Sequence, residues 1–362
     1  MPGPPPPLTD LAPLLDPELR AAFLTYPEAV DASVDPVATR ARLEEAYVRT
    51  LPPAPAGVVS RDVVLPGPRD NPGGIPTRIY EPSKRTEPLP AVVYVHGGGF
   101  VIGSIEASRL ACEAIVDEVG AVVICPGYRL APEDPFPAAP DDVYAVLHWV
   151  ATTGGRIGVD VDRIAIAGYS AGGGICAAVG LMVRDRGEIS LVLQAPTNAC
   201  LDDRHSTPSS QSILDRRTWH RERALSQWAA YLGDASPRDL SPYAAPARAD
   251  SLAGLPPTFI SVGALDLLRD ENLEFARRLT EAGVATEMHL YPGAFHGFEI
   301  LVPGARVSRD AVAALHRALR RALLPHGDGT ANQIDGTLSD TSAPRDSEPA
   351  TATGPLPSPH DP

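Results

Sequence analysis

From residue 90 onward the chain alternates short apolar runs with longer stretches of helical period. The runs are Ala91–Val95, Ala121–Cys125, Ile164–Ala167, Leu191–Gln194, Thr258–Val262 and Thr286–Leu290. Their length is that of a strand, and their unbroken apolar character predicts strands buried on both faces. Between them, Ala111, Ile115 and Val119 recur every four residues. Near the end, Val312, Leu315, Leu319 and Leu323 recur at three and four, which predicts one buried helix face. Strands alternating with helices predict an α/β fold: a mostly parallel central sheet with helices on both faces. Upstream, Val58–Val64 and Thr77–Tyr80 alternate between Gly and Pro, as antiparallel strands at a sheet edge do. Residues 8–52 read as helical in two pieces. Asp35-Pro36 opens the second, an N-cap followed by Pro at the first helical position.

The stretch 197–250 breaks the alternation. It is rich in Arg, Ser and Asp, turns helical through Arg223–Leu232, and reads as an excursion above the sheet. The Pro-rich residues 1–7 and the segment 325–362 differ from the rest. From His326 onward there are six prolines, three residues of the Ile/Leu/Val type and no aromatic residue. Such a segment buries too little apolar surface to offset its conformational entropy, and is expected to be disordered. The α/β core is thus expected over 53–196 and 251–324.

Composition then excludes some functions. The 362 residues carry a formal charge of −14, which argues against nucleic acid, whose binding needs a basic footprint. The longest nearly apolar run, Ala171–Val183, has 13 residues, short of the ~20 of a membrane span. The N-terminus has no basic and apolar signal-like regions, so a cytoplasmic location is expected. Cys112, Cys125, Cys176 and Cys200 form no C-x-x-C pair and sit in apolar surroundings. They are expected to be structural thiols, with no metal site and no cofactor.

The chemistry concentrates in two loops. Gly168-Tyr-Ser-Ala-Gly172 follows the strand-like Ile164–Ala167 and opens a Gly/Ala-rich helix. This is the setting of a nucleophile elbow, where a strained turn exposes Ser170 at a helix N-terminus. Read alone, it is equally a Gly-rich turn that happens to hold a serine. A serine needs a base, and the base an orienting acid, in the chain order Ser, acid, His. Only His296 lies in a loop just after the last strand, and Asp266 falls in the loop after Thr258–Val262. Asp270, the other acid there, is expected to cap the next helix, Glu271–Glu281. His96-Gly-Gly-Gly99 follows the strand Ala91–Val95 and offers backbone amides to an oxyanion. It lacks the residues that a phosphate-binding loop requires.

These residues resemble the hormone-sensitive-lipase-like (bacterial family IV) esterases of the α/β-hydrolase fold. The resemblance covers about residues 35–323. It rests on His96-Gly-Gly-Gly99, Tyr128-Arg-Leu-Ala-Pro-Glu133 with Phe136-Pro137, Gly168-x-Ser-Ala-Gly-Gly173, Asp266 with Leu268-Arg-Asp-Glu271, and His296-Gly-Phe298. It implies Ser170 as nucleophile with Asp266 and His296, and an oxyanion hole of the Gly98, Gly99 and Ala171 amides. It also implies a helical cap from 8–52 and 197–250, structural roles for His96 and the Tyr128–Glu133 segment, short- to medium-chain acyl esters as substrates, and a homodimer. Tyr169 departs from the Asp or Thr often found before the nucleophile. It either lines the substrate pocket or packs beneath the loop. Phe100, Trp219 and Trp228 either line that pocket or build the cap core. Two other uses of such a site stay open: lactone, elimination or cyclisation chemistry on a specialised metabolite, and non-catalytic binding of a small molecule.

Overall fold

The computed structural model describes residues 6–25, 35–85, 88–235 and 238–324, with backbone alone over 46–50. The expected disorder of 1–7 and 325–362 falls outside these residues except at positions 6 and 7. Elements run in the order α1 (Pro17–Thr25), α2 (Pro36–Thr50), β1 (Val58–Leu65), β2 (Ile75–Pro82), β3 (Leu89–Val95), α3 (Arg109–Val119), β4 (Val122–Pro126) and α4 (Ala138–Thr153). Next come β5 (Val159–Tyr169), α5 (Ala171–Arg186), β6 (Leu193–Thr197), α6 (Pro208–Ser212) and α7 (Arg221–Leu232). The chain closes with β7 (Thr258–Gly263), α8 (Arg269–Glu281), β8 (Thr286–Tyr291), α9 (Phe298–Leu301) and α10 (Arg306–Leu323).

The eight strands form one sheet in the order β1-β2-β4-β3-β5-β6-β7-β8. β1 and β2 are antiparallel at the edge, as their alternation predicts, and every pairing from β4 to β8 is parallel. The central strands are buried on both sides. Val93, Ile124, Ile164 and Ile166 face the layer that holds α4 and α5. Val92, Val123, Ala165 and Ala167 face α3 and α10. That double burial is why these strands read as continuous apolar runs. α5 is enclosed most completely, with every residue from Ala171 to Val183 buried.

Two strands and one helix face differ most from the reading of the sequence. β5 starts at Val159, five residues before its apolar run, because Val159 pairs with Leu89 of β3. β6 is shifted to Leu193–Thr197. Pro196 does not end it, since Gly168 and Tyr169 of β5 still pair with Pro196 and Thr197. On α10, Leu319 and Leu323 are buried as predicted, but Val312 is 37% exposed. The buried stripe there runs through Ser308, Ala311 and Ala314 instead.

The N-terminal segment is stitched to the excursion. Leu8 bridges Ile213, the Leu11 amide donates to Asp215, and Arg217 pairs with Asp10 and Asp215. Phe23 of α1 packs edge-on against Phe295, 4.8 Å between ring centres, beside His296. At the start of α2 the Asp35 carboxylate accepts the Ala38 amide, the cap expected of Asp35-Pro36. Arg40 of α2 donates to the carbonyls of Val101 and Ala131 and pairs with Glu133.

Candidate active site

The carboxyl ends of β3, β5, β7 and β8 converge on one edge of the sheet. Between β5 and α5 the chain turns through Ser170 at φ +56°, ψ −118°, a conformation that a residue with a Cβ rarely adopts. The turn is held because the Ser170 amide donates to the Thr197 carbonyl and the Ser170 carbonyl accepts from Gly174 and Cys200. Its glycines are steric necessities. A Cβ on Gly168 would overlap the Gly172 carbonyl, and one on Gly172 would overlap the carbonyls of Val95 and His96. The helix therefore begins in contact with the end of β3, which sets Ser170 beside the glycine loop.

Ser170 Oγ lies 3.0 Å from Nε2 of His296, and Nδ1 of His296 lies 2.7 Å from Oδ2 of Asp266. Asp266 is wholly buried. Its second oxygen accepts the Leu268 amide, which leaves Oδ2 to the imidazole. With Nδ1–H donating to the carboxylate, Nε2 presents its lone pair to the serine hydroxyl. Asp270, expected as a cap, does not cap α8. It lies inside the first turn, accepts the Ser209 amide at 2.7 Å and pairs with Arg269, so it ties α8 to α6.

The loop Gly97–Gly99 faces this line. Gly98 and Gly99 have φ of +128° and +60°. Among the described residues no hydrogen bond uses the amides of Gly98, Gly99 or Ala171. Beneath the loop, His96 is buried and stacks on Tyr128 at 4.1 Å, and the Tyr128 hydroxyl donates to the His96 carbonyl. Burial pushes the His96 imidazole down to about 4, so it stays neutral as a prop. Arg129 completes the support by pairing with the buried Asp142.

A cavity of about 1160 Å³ opens on Ser170 and His296. Tyr169 and Trp219 both line it, their rings 5.7 and 5.5 Å from the His296 ring. The Tyr169 hydroxyl is buried with no hydrogen-bond partner among the described residues, and burial raises it well above the usual phenol range. Phe100 does not line the cavity. Its ring stacks on Tyr231 at 4.0 Å and packs against Trp228, so it belongs to the core below the excursion. All four cysteines are free and buried. Cys200 Sγ stands 3.9 Å from Ser170 Oγ.

Two residues that sequence reasoning passed over join the site. Asn198 accepts the Gly263 amide and donates to Glu299, so it links the strand before Asp266 to the helix after His296. Burial raises Glu299 to about 7, against its backbone hydrogen bond and the Asn198 hydrogen bond. The only signal in the sequence was spacing: Gly263 stands three residues before Asp266, and Glu299 three after His296.

The fold and this edge of the sheet define an α/β-hydrolase. A family model described as alpha/beta hydrolase fold matches residues 92–300, and the chain belongs to that family. Within it, the chain is a hormone-sensitive-lipase-like, family IV carboxylesterase-type hydrolase. It is 35% identical over 319 residues to esterase LipI of Mycobacterium tuberculosis, covering 86% of this chain and 95% of that one. An arylesterase of Saccharolobus solfataricus is 30% identical, with 84% and 98% covered. Among solved structures, a bacterial heroin esterase superposes with a TM-score of 0.83 at 39% identity, covering 87% of this chain and all of that one. No described helix is long and apolar enough to cross a membrane.

Proposed function

We propose that the protein hydrolyses short- to medium-chain carboxylic esters through a Ser170–His296–Asp266 triad and an acyl-enzyme. The observation that carries this reading is the unbroken line from Asp266 Oδ2 through His296 to Ser170 Oγ, with links of 2.7 and 3.0 Å. Ser170 Oγ attacks the ester carbonyl as His296 takes its proton. The amides of Gly98, Gly99 and Ala171 receive the oxyanion, each worth roughly 3–4 kcal/mol in such sites. His296 then gives its proton to the departing alcohol, and the C–O bond breaks to leave an acyl-Ser170. Water, deprotonated by His296, attacks that acyl group and releases the acid and free Ser170. Asp266 holds the imidazole tautomer and stabilises the imidazolium. The segments 8–52 and 197–250 form the cap in this reading, joined by the Leu8–Ile213 bridge and the Arg217 ion pairs. The reading is tested by assaying 4-nitrophenyl butyrate with the wild type and with Ser170→Ala. Hydrolysis by the wild type and its loss in the variant are expected; a variant with full activity would refute it.

A further inference from the structure

The cavity around Ser170 and His296 is closed on one side and open on the other. On the oxyanion side, Trp219 and Gln227 press directly on Gly99, where a Cβ would overlap both side chains. Gln227 is wholly buried, and the Trp219 ring reaches to 5.5 Å from the His296 ring. Little room remains above Gly99.

On the other side the cavity runs out between α3 and α10. Its walls there include Leu110 and Ala111 of α3, Ile300 and Leu301 of α9, and Val312 and Leu315 of α10. Leu110 is 47% exposed, Ile300 56%, Leu301 40% and Val312 37%. A single exposed leucine is ordinary on a protein surface. Four large apolar side chains on the rim of one cavity that reaches the nucleophile form a prepared apolar surface. The remaining wall, toward α2 and the excursion, is mixed, with Leu43, Leu51 and Pro52 beside Arg40, Glu44, Arg217 and Arg223, whereas the rim of the α3–α10 groove gathers the four exposed apolar side chains.

Which half of an ester enters the groove follows from the triad. The leaving oxygen must reach His296 Nε2 to receive its proton, so the alcohol lies on the His296 side. Ile300 and Leu301 belong to the segment that starts at His296 and line the groove on that side. The acyl group lies on the other side of the carbonyl, under Trp219 and against Gly99.

We propose that the groove between α3 and α10 is the alcohol subsite, and that the preferred substrates are short-acyl esters of extended or bulky apolar alcohols. The proposal rests on the reading of Ser170 and His296 as nucleophile and base. It turns a general acyl-chain preference into an asymmetry between the two halves of the ester.

The test uses the full-length protein, a pH-stat and two ester series. One holds the acyl group at acetate and lengthens the alcohol from ethyl to octyl; the other holds ethanol and lengthens the acyl group from acetate to octanoate. Each methylene buried in an apolar groove contributes about 0.8 kcal/mol, so kcat/KM is expected to rise at least about tenfold from ethyl to hexyl acetate. It is expected to fall at least about tenfold from ethyl acetate to ethyl hexanoate. Ile300→Glu and Val312→Glu place a charge on the rim at exposed positions that the core does not use. Each is expected to lower the hexyl-to-ethyl acetate ratio about tenfold. A wild type that gains on longer acyl chains instead, or a ratio unmoved in both variants, would overturn the alcohol subsite while leaving the triad standing. Failure to hydrolyse any ester in either series would refute the triad reading itself.

Discussion

Oδ2 of the wholly buried Asp266 sits 2.7 Å from His296 Nδ1, and its other oxygen is held by the Leu268 amide. The carboxylate is fixed from both ends and has one free direction, toward the imidazole. Asp266→Asn preserves the shape but favours the wrong imidazole tautomer. It is expected to lower kcat by about 10⁴, the size of the effect seen in the best-studied triad. Asp270→Asn is the control, because Asp270 serves the α6–α8 contact. Its kcat is expected to stay within about threefold of wild type, with a stability loss of about 1 kcal/mol. Steady-state kinetics of the two variants separate the roles; equal losses of kcat would contradict the assignment.

The glycine packing carries a prediction about folding. A methyl group on Gly172 meets the backbone carbonyls of Val95 and His96, which no side-chain rotation relieves. Gly172→Ala is expected to cost more than about 2 kcal/mol or to prevent soluble folding. Among the described residues nothing lies near the Cβ position of Gly155, and Gly155→Ala is expected to stay within about 1 kcal/mol of wild type. Urea midpoints compare the two, and similar midpoints would contradict the packing argument.

Glu299 predicts a pH-dependent stability term. Burial raises its carboxyl to about 7 from an ordinary 4.5, with Asp266 pushing the same way and Asn198 and His296 opposing; Tyr94, Tyr169 and Tyr291 are its other titratable neighbours. Between those two values the folded chain holds a proton that the unfolded chain has lost. This contribution is therefore full below pH 4.5 and declines as the pH rises through 7. Glu299→Gln removes the decline. Relative to wild type, the variant is expected to gain roughly 2–3 kcal/mol between pH 4.5 and pH 8 in denaturant titrations. Parallel profiles would show that Glu299 does not carry the term.

The line of Ser170, His296 and Asp266 was legible because each occupies a loop directly after an apolar strand run, and strand order puts those loops at one edge. Ser170 and the glycine loop were legible for a steric reason, since few residues other than glycine fit where α5 meets β3. What escaped the sequence depends on partners distant along the chain. Val159 is a strand residue only because Leu89 lies beside it, and Val312 looks like core by period but lies at the open end of the cavity. Phe100 follows Gly97–Gly99 and so suggested a pocket wall, yet Tyr231 and Trp228 cover it from the excursion. Asp270 had the position of a cap and was claimed by Ser209. Asn198 and Glu299 belong to no motif, and only the folded chain shows that one side chain joins the strand before Asp266 to the helix after His296.

The central claim is that Ser170 is a nucleophile activated by His296, and the most direct measurement is the intact mass of the protein after exposure to a fluorophosphonate. One adduct per chain is expected, mapped by peptide sequencing to Ser170 and abolished in Ser170→Ala. A wild type left unlabelled, or an adduct that persists in Ser170→Ala, would contradict the account.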